Sequence, residues 1–391
     1  MEPADVVLRF LESLGRRSEA EFYLALFRAE AKERFATIVV DANVARHATE
    51  AVVLDLSFLA SLGLTPVVVL GLFEPTDAVE HASRIRRKLE KGGVPAQLLD
   101  SPDTGETAAA CRAGVIPVLP FRDGTVPAVV ASPAPIDDRF TRLGALLTAL
   151  GTRKLIFLHR PGGLRRRGEL VPLVNLTAEY DAFAASKELS RKQRTMLAQS
   201  RRLIFDTVPH KLLVSVTSPL DLLRELFTTK GAGTLLRRGA VIEPRAGFAE
   251  VDLGRLRALL ASSFGRPPRE EFFQTAARAV PRIYLEEAYR GAAILFDTPL
   301  GAYLSKFAVD REAQGEGMGR DLWERVTADH PVIFWRARSD NPIAAWYAKL
   351  CDGLARFPEW HVFWRGIRPD QIPAAIEYAL AQPVDIPHGE E

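Results

Sequence analysis

Cysteine is nearly absent. The chain has 391 residues and two cysteines, Cys111 and Cys351, far apart. That excludes a disulfide framework and a cysteine-based metal spacing, and it fits a reducing compartment. No metal-ligand spacing stands out elsewhere. No apolar run approaches the roughly 20 residues that a membrane-spanning helix needs. Neither sign of charge is in excess: 51 Lys and Arg against 49 Asp and Glu leave +2, which gives no basis for a nucleic-acid partner. Lysine is scarce, ten of those 51 cations, leaving 41 arginines. This is the arginine bias of a GC-rich genome, and Arg165-Arg166-Arg167 and Arg237-Arg238 read as solvated turns. The N-terminus, Met1-Glu-Pro-Ala-Asp5, is acidic and has neither signal-peptide nor transit-peptide character. The expectation is a cytoplasmic protein.

What is present is 47% hydrophobic and 26% charged residues, a soluble globular profile. The length calls for two domains. Helical periodicity at 4–15 and 18–34 suggests an N-terminal helical arm, 1–34. Strands predicted at 37–40, 66–70, 96–99, 115–121, 154–159 and 212–217 then alternate with helices at 47–62, 77–92, 104–113, 137–150 and 218–228. That rhythm argues for an α/β domain, 35–238, with a mainly parallel sheet covered on both faces. Hairpins are expected at 122–131 and 162–176, and a polar helical stretch at 178–200. Residues 239–250 read as a linker. An α+β domain is expected over 251–385, with helices at 252–262 and 268–279 and strands at 282–286, 291–296 and 302–309. A helix at 317–328, a strand at 331–338, a helix at 342–349 and a strand at 360–366 complete it. The tail beyond about 383 is expected to fray.

One stretch carries the chemistry. Gln314-Gly-Glu-Gly-Met-Gly-Arg320 lies between an apolar strand and an amphipathic helix. Glycines there allow a tight turn and leave N–H groups unobstructed at the positive end of the helix, so a pyrophosphate fits. The form Gln-x-x-Gly-x-Gly resembles the acetyl-CoA loop of GNAT acyltransferases. The resemblance assigns Gln314, Gly315, Glu316, Gly317, Met318, Gly319 and Arg320 to acetyl-CoA, with no metal.

A wider set of residues narrows the family. Lys306-Phe-Ala-Val309, the glycine loop, Trp323, Phe334-Trp-Arg-Ala-Arg338, Asn341-Pro-Ile343, Trp346-Tyr347, Asp352-Gly353 and Trp360-His-Val-Phe-Trp364 resemble the NAT domain of vertebrate-like N-acetylglutamate synthases. That family includes bifunctional bacterial synthase/kinases. Glu21-Phe-Tyr-Leu-Ala-Leu-Phe27, Lys154-Leu-Ile-Phe-Leu158 and Leu223-Arg-Glu-Leu-Phe-Thr-Thr-Lys-Gly-Ala-Gly-Thr234 are similar to its amino-acid-kinase domain. The implied fold is an αβα kinase-like sandwich followed by a GNAT domain. The implied reaction transfers acetyl from acetyl-CoA to the amine of L-glutamate, the first step of arginine biosynthesis.

The dicarboxylic acceptor needs fixed cations. Arg336 and Arg338 share a strand face, and the resemblance places Lys306, Arg336, Asn341 and Arg266 at glutamate. Tyr347 matches the family's proposed general acid. Its reference pKa of about 10 suits protonation of a thiolate whose own is about 8.5. Glu286 and Glu287 are candidate bases. The resemblance also implies an L-arginine effector at Glu225, Lys230 and Gly233, and assembly into a homotetramer.

The kinase motifs depart from the family. Val40-Asp-Ala-Asn43 stands where Lys-x-Gly-Gly is expected, and Gly71-Leu-Phe-Glu-Pro75 where a Gly-Gly-Gly-Pro turn belongs. Asp137-Asp-Arg139 replaces an Asn-x-x-Asp pair. Phosphoryl transfer depends on positioning and charge, so an inactive, regulatory first domain is expected. The alternatives are an N-acetylglutamate kinase with a regulatory NAT domain, a non-catalytic arginine sensor, and an acetyltransferase for another amine.

Overall fold

The computed structural model describes residues 17–100, 103–122, 136–228, 231–276 and 280–386. The helix expected at 4–15, the return strand at 126–131 and Lys230 lie outside them. The chain forms two compact units, Met1–Gly239 and Ala240–Glu391.

The first unit holds strands β1 (Thr37–Val40), β2 (Val67–Leu70), β3 (Ala96–Leu98), β4 (Ile116–Pro120) and β5 (Lys154–Leu158). A small hairpin, β6 (Arg165–Arg166) and β7 (Glu169–Leu170), precedes β8 (Leu173–Asn175), β9 (Leu213–Thr217) and β10 (Thr234–Arg237). The main sheet runs β3-β4-β2-β1-β5-β9-β10-β8, parallel except for the β9/β10 pair. β1 and β2 are buried at every residue, because helices cover both faces. Alternation along β1 assigns the layers: Ile38 and Val40 join one core, Val39 the other.

The first core receives α1 (Arg17–Ala29), α2 (Ala42–His47), α3 (Thr49–Ser61) and α4 (Ala78–Lys91). The opposite face carries α5 (Thr104–Arg112), α6 (Ile136–Leu150), α7 (Tyr180–Ala184) and α8 (Arg191–Arg202), and α9 (Leu222–Phe227) returns to the first. Two expectations change here. The described part of the N-terminal arm is no appendage: Ala20, Tyr23, Leu24 and Phe27 of α1 are buried in the first core, and Phe27 packs edge-on against Phe227. The helix expected at 47–62 is α3, and an unforeseen short helix, α2, precedes it: Asp41 caps α2 at Asn43 N and Ala48 leaves helical geometry between the two.

The second unit forms one sheet, β11-β12-β13-β14-β15-β17-β16. Its strands are β11 (Ile242–Ala246), β12 (Arg282–Glu286), β13 (Gly291–Thr298), β14 (Gly301–Val309), β15 (Ile333–Arg338), β16 (Gly353–Arg356) and β17 (Trp360–Arg365). Helices α10 (Leu253–Phe264), α11 (Glu270–Ala276), α12 (Arg311–Gln314), α13 (Met318–Asp329), α14 (Ala344–Tyr347) and α15 (Ile372–Ala381) flank it. All pairings are antiparallel except β14 with β15. α13 packs on one face; α10, α11 and α15 pack on the other.

The residues read as a linker instead supply the edge strand β11, paired from Ile242↔Glu286 to Ala246↔Arg282. Pro244 suggested a connector, but an edge strand tolerates proline. Strand β16 and helix α15 were also not foreseen, although Pro373 in the first turn is a helix-start signal. Among the described residues no helix is long and apolar enough to cross a membrane.

Asp55 sits in α3 with a carboxyl oxygen lacking a hydrogen bond, and burial raises its pKa to about 7. A raised carboxyl pKa means that its stabilising contribution is present below about pH 4 and is lost as pH rises through 7. Asp55→Asn should therefore gain roughly 2–4 kcal/mol over the parent at pH 8 and nothing near pH 4. Denaturation at both pH values checks this.

Candidate active site

β14 and β15 pair over Ala302↔Ile333, Tyr303↔Phe334 and Leu304↔Trp335, and the register ends there. Both strands continue, to Val309 and Arg338. A wedge thus opens in the middle of the sheet. At its apex the β13/β14 register slips between Ile294 and Leu295, so Ser305 is a bulged residue. A bulge bends the strand and re-aims the residues after it.

Lys306 follows the bulge. Its Nζ bonds Ser305 Oγ at 2.9 Å and Asp385 Oδ2 at 2.6 Å, and lies 4.3 Å from the Phe272 ring centroid. Arg336, just past the last β14/β15 pair, donates to the carbonyls of Leu380, Gln382 and Pro383 at 3.1, 2.8 and 2.7 Å. Its guanidinium stacks on Trp360 at 3.9 Å, and Arg338 stacks on that ring at 4.3 Å. The shared strand face is thus present. Burial pulls the Lys306 pKa down; the Asp385 carboxylate opposes this and the Arg336 charge adds to it. Burial also lowers that of Arg336.

Tyr347 lies on the opposite face of the sheet, in the core with α13. Phe307, Trp323, Trp335, Trp346 and Phe363 surround its ring at 5.4–6.4 Å. Burial raises its pKa well above the ordinary tyrosine value, so the hydroxyl keeps its proton. Asn341 is the turn residue before α14: its Oδ1 accepts from Ile343 N at 3.1 Å. Arg266 is exposed after α10.

The glycine loop divides its labour. Gln314 Nε2 donates to the Val309 carbonyl at 3.1 Å. Glu316 pairs with Arg290 at 3.1 Å, and Met318 is buried against Gly291. Their side chains therefore serve the protein. The amides of Glu316, Gly317 and Arg320 donate to the carbonyls of Ala313, Gln314 and Gly317; Gly317 takes a left-handed φ of +77° to open α13, and the first amides of a helix have no acceptor within it. A Cβ at Gly319 would meet Phe307 and Val309 only at an ordinary 3.8 Å. Beside it a groove of about 520 Å³ is lined by Arg320, Trp323, Trp346 and Arg365. Arg320 also pairs with Glu324 at 2.8 Å. The groove thus borders the loop at Arg320 and reaches Trp346, the neighbour of Tyr347.

Sequence reasoning missed two groups and gave a third another role. Tyr303 is buried beside Arg336. Asp385 belongs to a tail expected to fray. Glu286, a candidate base, is bound to Arg290 at 2.7 Å and to the amides of Ala288 and Arg290; these bonds make it an anchor for Arg290, and hence for Glu316. Glu287 is exposed.

In the first unit, Asp41 follows β1 and Glu74 follows β2 by a short turn, at the carboxyl ends of neighbouring parallel strands, where open α/β sheets bind ligands. Lys192 of α8 bridges both carboxylates at 2.7 Å. Arg139 is buried and donates to the Leu72 carbonyl at 2.8 Å, while Phe73 packs between Phe140 and Phe157. This end of the sheet is filled by its own side chains. At the other predicted place, Glu225 accepts from the amides of Ala232 and Gly233 at 2.8 and 2.9 Å.

A profile described as NAT, the N-acetyltransferase of N-acetylglutamate synthase, matches residues 243–379. The chain is 33% identical to the acetylglutamate kinase of Xanthomonas campestris pv. campestris, over 95% of this chain and 99% of that one. It is 31% identical to the mitochondrial N-acetylglutamate synthase of Homo sapiens, over 92% of this chain and 74% of that one. The chain belongs to the N-acetylglutamate synthase and acetylglutamate kinase family. The crystal structure of N-acetylglutamate synthase from Neisseria gonorrhoeae complexed with coenzyme A and L-arginine has the same fold, with a TM-score of 0.53 at 16% identity, covering 90% of this chain and 98% of that one. The architecture is thus a kinase-like αβα unit followed by a GNAT-type unit.

Arg290→Ala would leave Glu286 and Glu316 as neighbouring, largely buried carboxylates without their shared cation. The second unit should lose roughly 3 kcal/mol or more, read as a lower denaturation midpoint.

Proposed function

We propose that this protein is an N-acetylglutamate synthase, an amino-acid N-acetyltransferase that joins the acetyl group of acetyl-CoA to the amine of L-glutamate. The observation that carries this reading is the wedge: Lys306 and Arg336 on one face of its mouth, Tyr347 on the other. Two fixed cations suit a dicarboxylate, and a planar guanidinium suits one of its carboxylates. The loop amides and the α13 N-terminus hold the pyrophosphate, which aims the thioester into the gap.

Glutamate's neutral amine attacks the thioester carbonyl, forming the C–N bond, and the nitrogen then loses a proton to solvent. The C–S bond breaks and the sulfur takes the proton of Tyr347, which solvent replaces. Tyr347 begins protonated because burial disfavours its anion. The same dry surroundings disfavour a free thiolate, which draws the proton across. Lys306 and Arg336 hold the acceptor and take no part in the proton transfer.

The relative named acetylglutamate kinase makes kinase activity the second reading. Against it, Asp41 and Glu74 put carboxylates where a nucleotide's phosphates would need cations, and Lys192 is held between them. We place an L-arginine effector at Glu225 and the loop through Gly233, and tetramer assembly in the first unit, as parts of the same proposal.

Purified protein should release CoA from acetyl-CoA only when L-glutamate is present. It should form no ADP from ATP and N-acetylglutamate; ADP without CoA release would reverse the assignment. Tyr347→Phe should lower kcat about 100-fold or more with little change in either KM. A kcat near the parent value would remove Tyr347 from the proton path.

A further inference from the structure

We infer that the C-terminal segment 382–385 occupies this chain's own acceptor site, with Asp385 standing in for a substrate carboxylate. This rests on the reading of Lys306 and Arg336 as the cations that hold the acceptor.

Asp385 approaches Lys306 Nζ at 2.6 Å, with the two side chains only 13% and 8% exposed. Lys306's other contacts, Ser305 and Phe272, carry no charge; among the described residues Asp385 is its ion-pair partner. The backbone holds the aspartate in place, since the Asp385 carbonyl accepts from Arg269 N at 2.7 Å. Arg336 is occupied in the same way, by the carbonyls of Leu380, Gln382 and Pro383. One segment therefore supplies a carboxylate to the lysine and carbonyl oxygens to the arginine. These are the acceptor types a bound amino acid would bring.

The position of Asp385 distinguishes this from an ordinary structural pair. It lies four residues beyond the last residue of α15, outside any strand or helix, so it can leave without breaking secondary structure. Two neighbouring cations in a poorly hydrated site need anions nearby. Without substrate the tail provides one; with substrate, glutamate's carboxylate does. A group on so short a tether has an effective concentration in the millimolar range, so glutamate must displace it. The measured affinity for glutamate is then lowered in proportion to the time the tail spends bound.

The test uses full-length protein, Asp385→Asn and a truncation after Ala381, which removes the whole segment, with glutamate KM measured by CoA release. Both changes should lower glutamate KM about fivefold or more, while the acetyl-CoA KM serves as the internal control. In the parent, backbone hydrogen exchange over 382–386 should speed up when N-acetylglutamate and CoA are added. An unchanged or raised glutamate KM in the truncation, or a tail whose exchange stays the same or slows, would overturn the inference. If the two variants disagree, the truncation decides, because the asparagine leaves Lys306 buried opposite an amide. Parent activity is measured first: an inactive parent defeats the synthase reading, and an active parent whose KM the truncation does not lower defeats this one.

Discussion

The parting of β14 and β15 is the constraint on which the second unit depends. Two parallel strands that stop pairing inside a sheet expose main-chain groups that must find other partners. Other elements close around the opening. Ser305 bulges where the pairing ends, α13 brings its N-terminus beside the opening, and an aromatic cluster around Tyr347 closes one side. On the other side Arg336 and Lys306 are satisfied by the chain's own tail. A wedge in a sheet is costly unless something fills it, and here an aromatic cluster and the chain's own tail do so.

The two units use one interaction to opposite ends. In the first, Lys192 is clasped by Asp41 and Glu74, both anchored at the ends of buried parallel strands. Release of that lysine would uncover two carboxylates on a rigid scaffold, and the site stays closed. In the second, Lys306 is clasped by an aspartate near the end of the chain. That aspartate stands outside any strand or helix and is held by the ion pair and by the bond from Arg269 N to its carbonyl. Whether a buried lysine locks a site or waits for a ligand is decided by what the opposing acid is attached to.

Much of the fold was legible because its signals are local. The alternation of apolar strands with helices closed by Gly63 and Gly92 is written residue by residue, and β1 was placed without error. The errors have physical causes. Pro244 and nearby charges imitate a linker, but an edge strand needs only one hydrogen-bonded side, and β12 provides it. α1 looked like an arm because periodicity shows that a helix has an apolar face, not what covers it. In the glycine loop the motif's position was evident, yet Gln314, Glu316 and Met318 turn their side chains to the protein, because a loop that binds through amides needs its side chains for its own support.

By itself the sequence determined the strand–helix alternation of the first unit, the glycine turn before α13 and the placing of Arg336 with Arg338 on one strand face. Each follows from spacing within a few residues. Tertiary structure alone decided what those residues meet. Lys306 and Asp385 are 79 residues apart, and Lys192 and Asp41 are 151 apart. No periodicity spans such distances. Only sheet order, and the helices that carry the chain across it, bring those charges together.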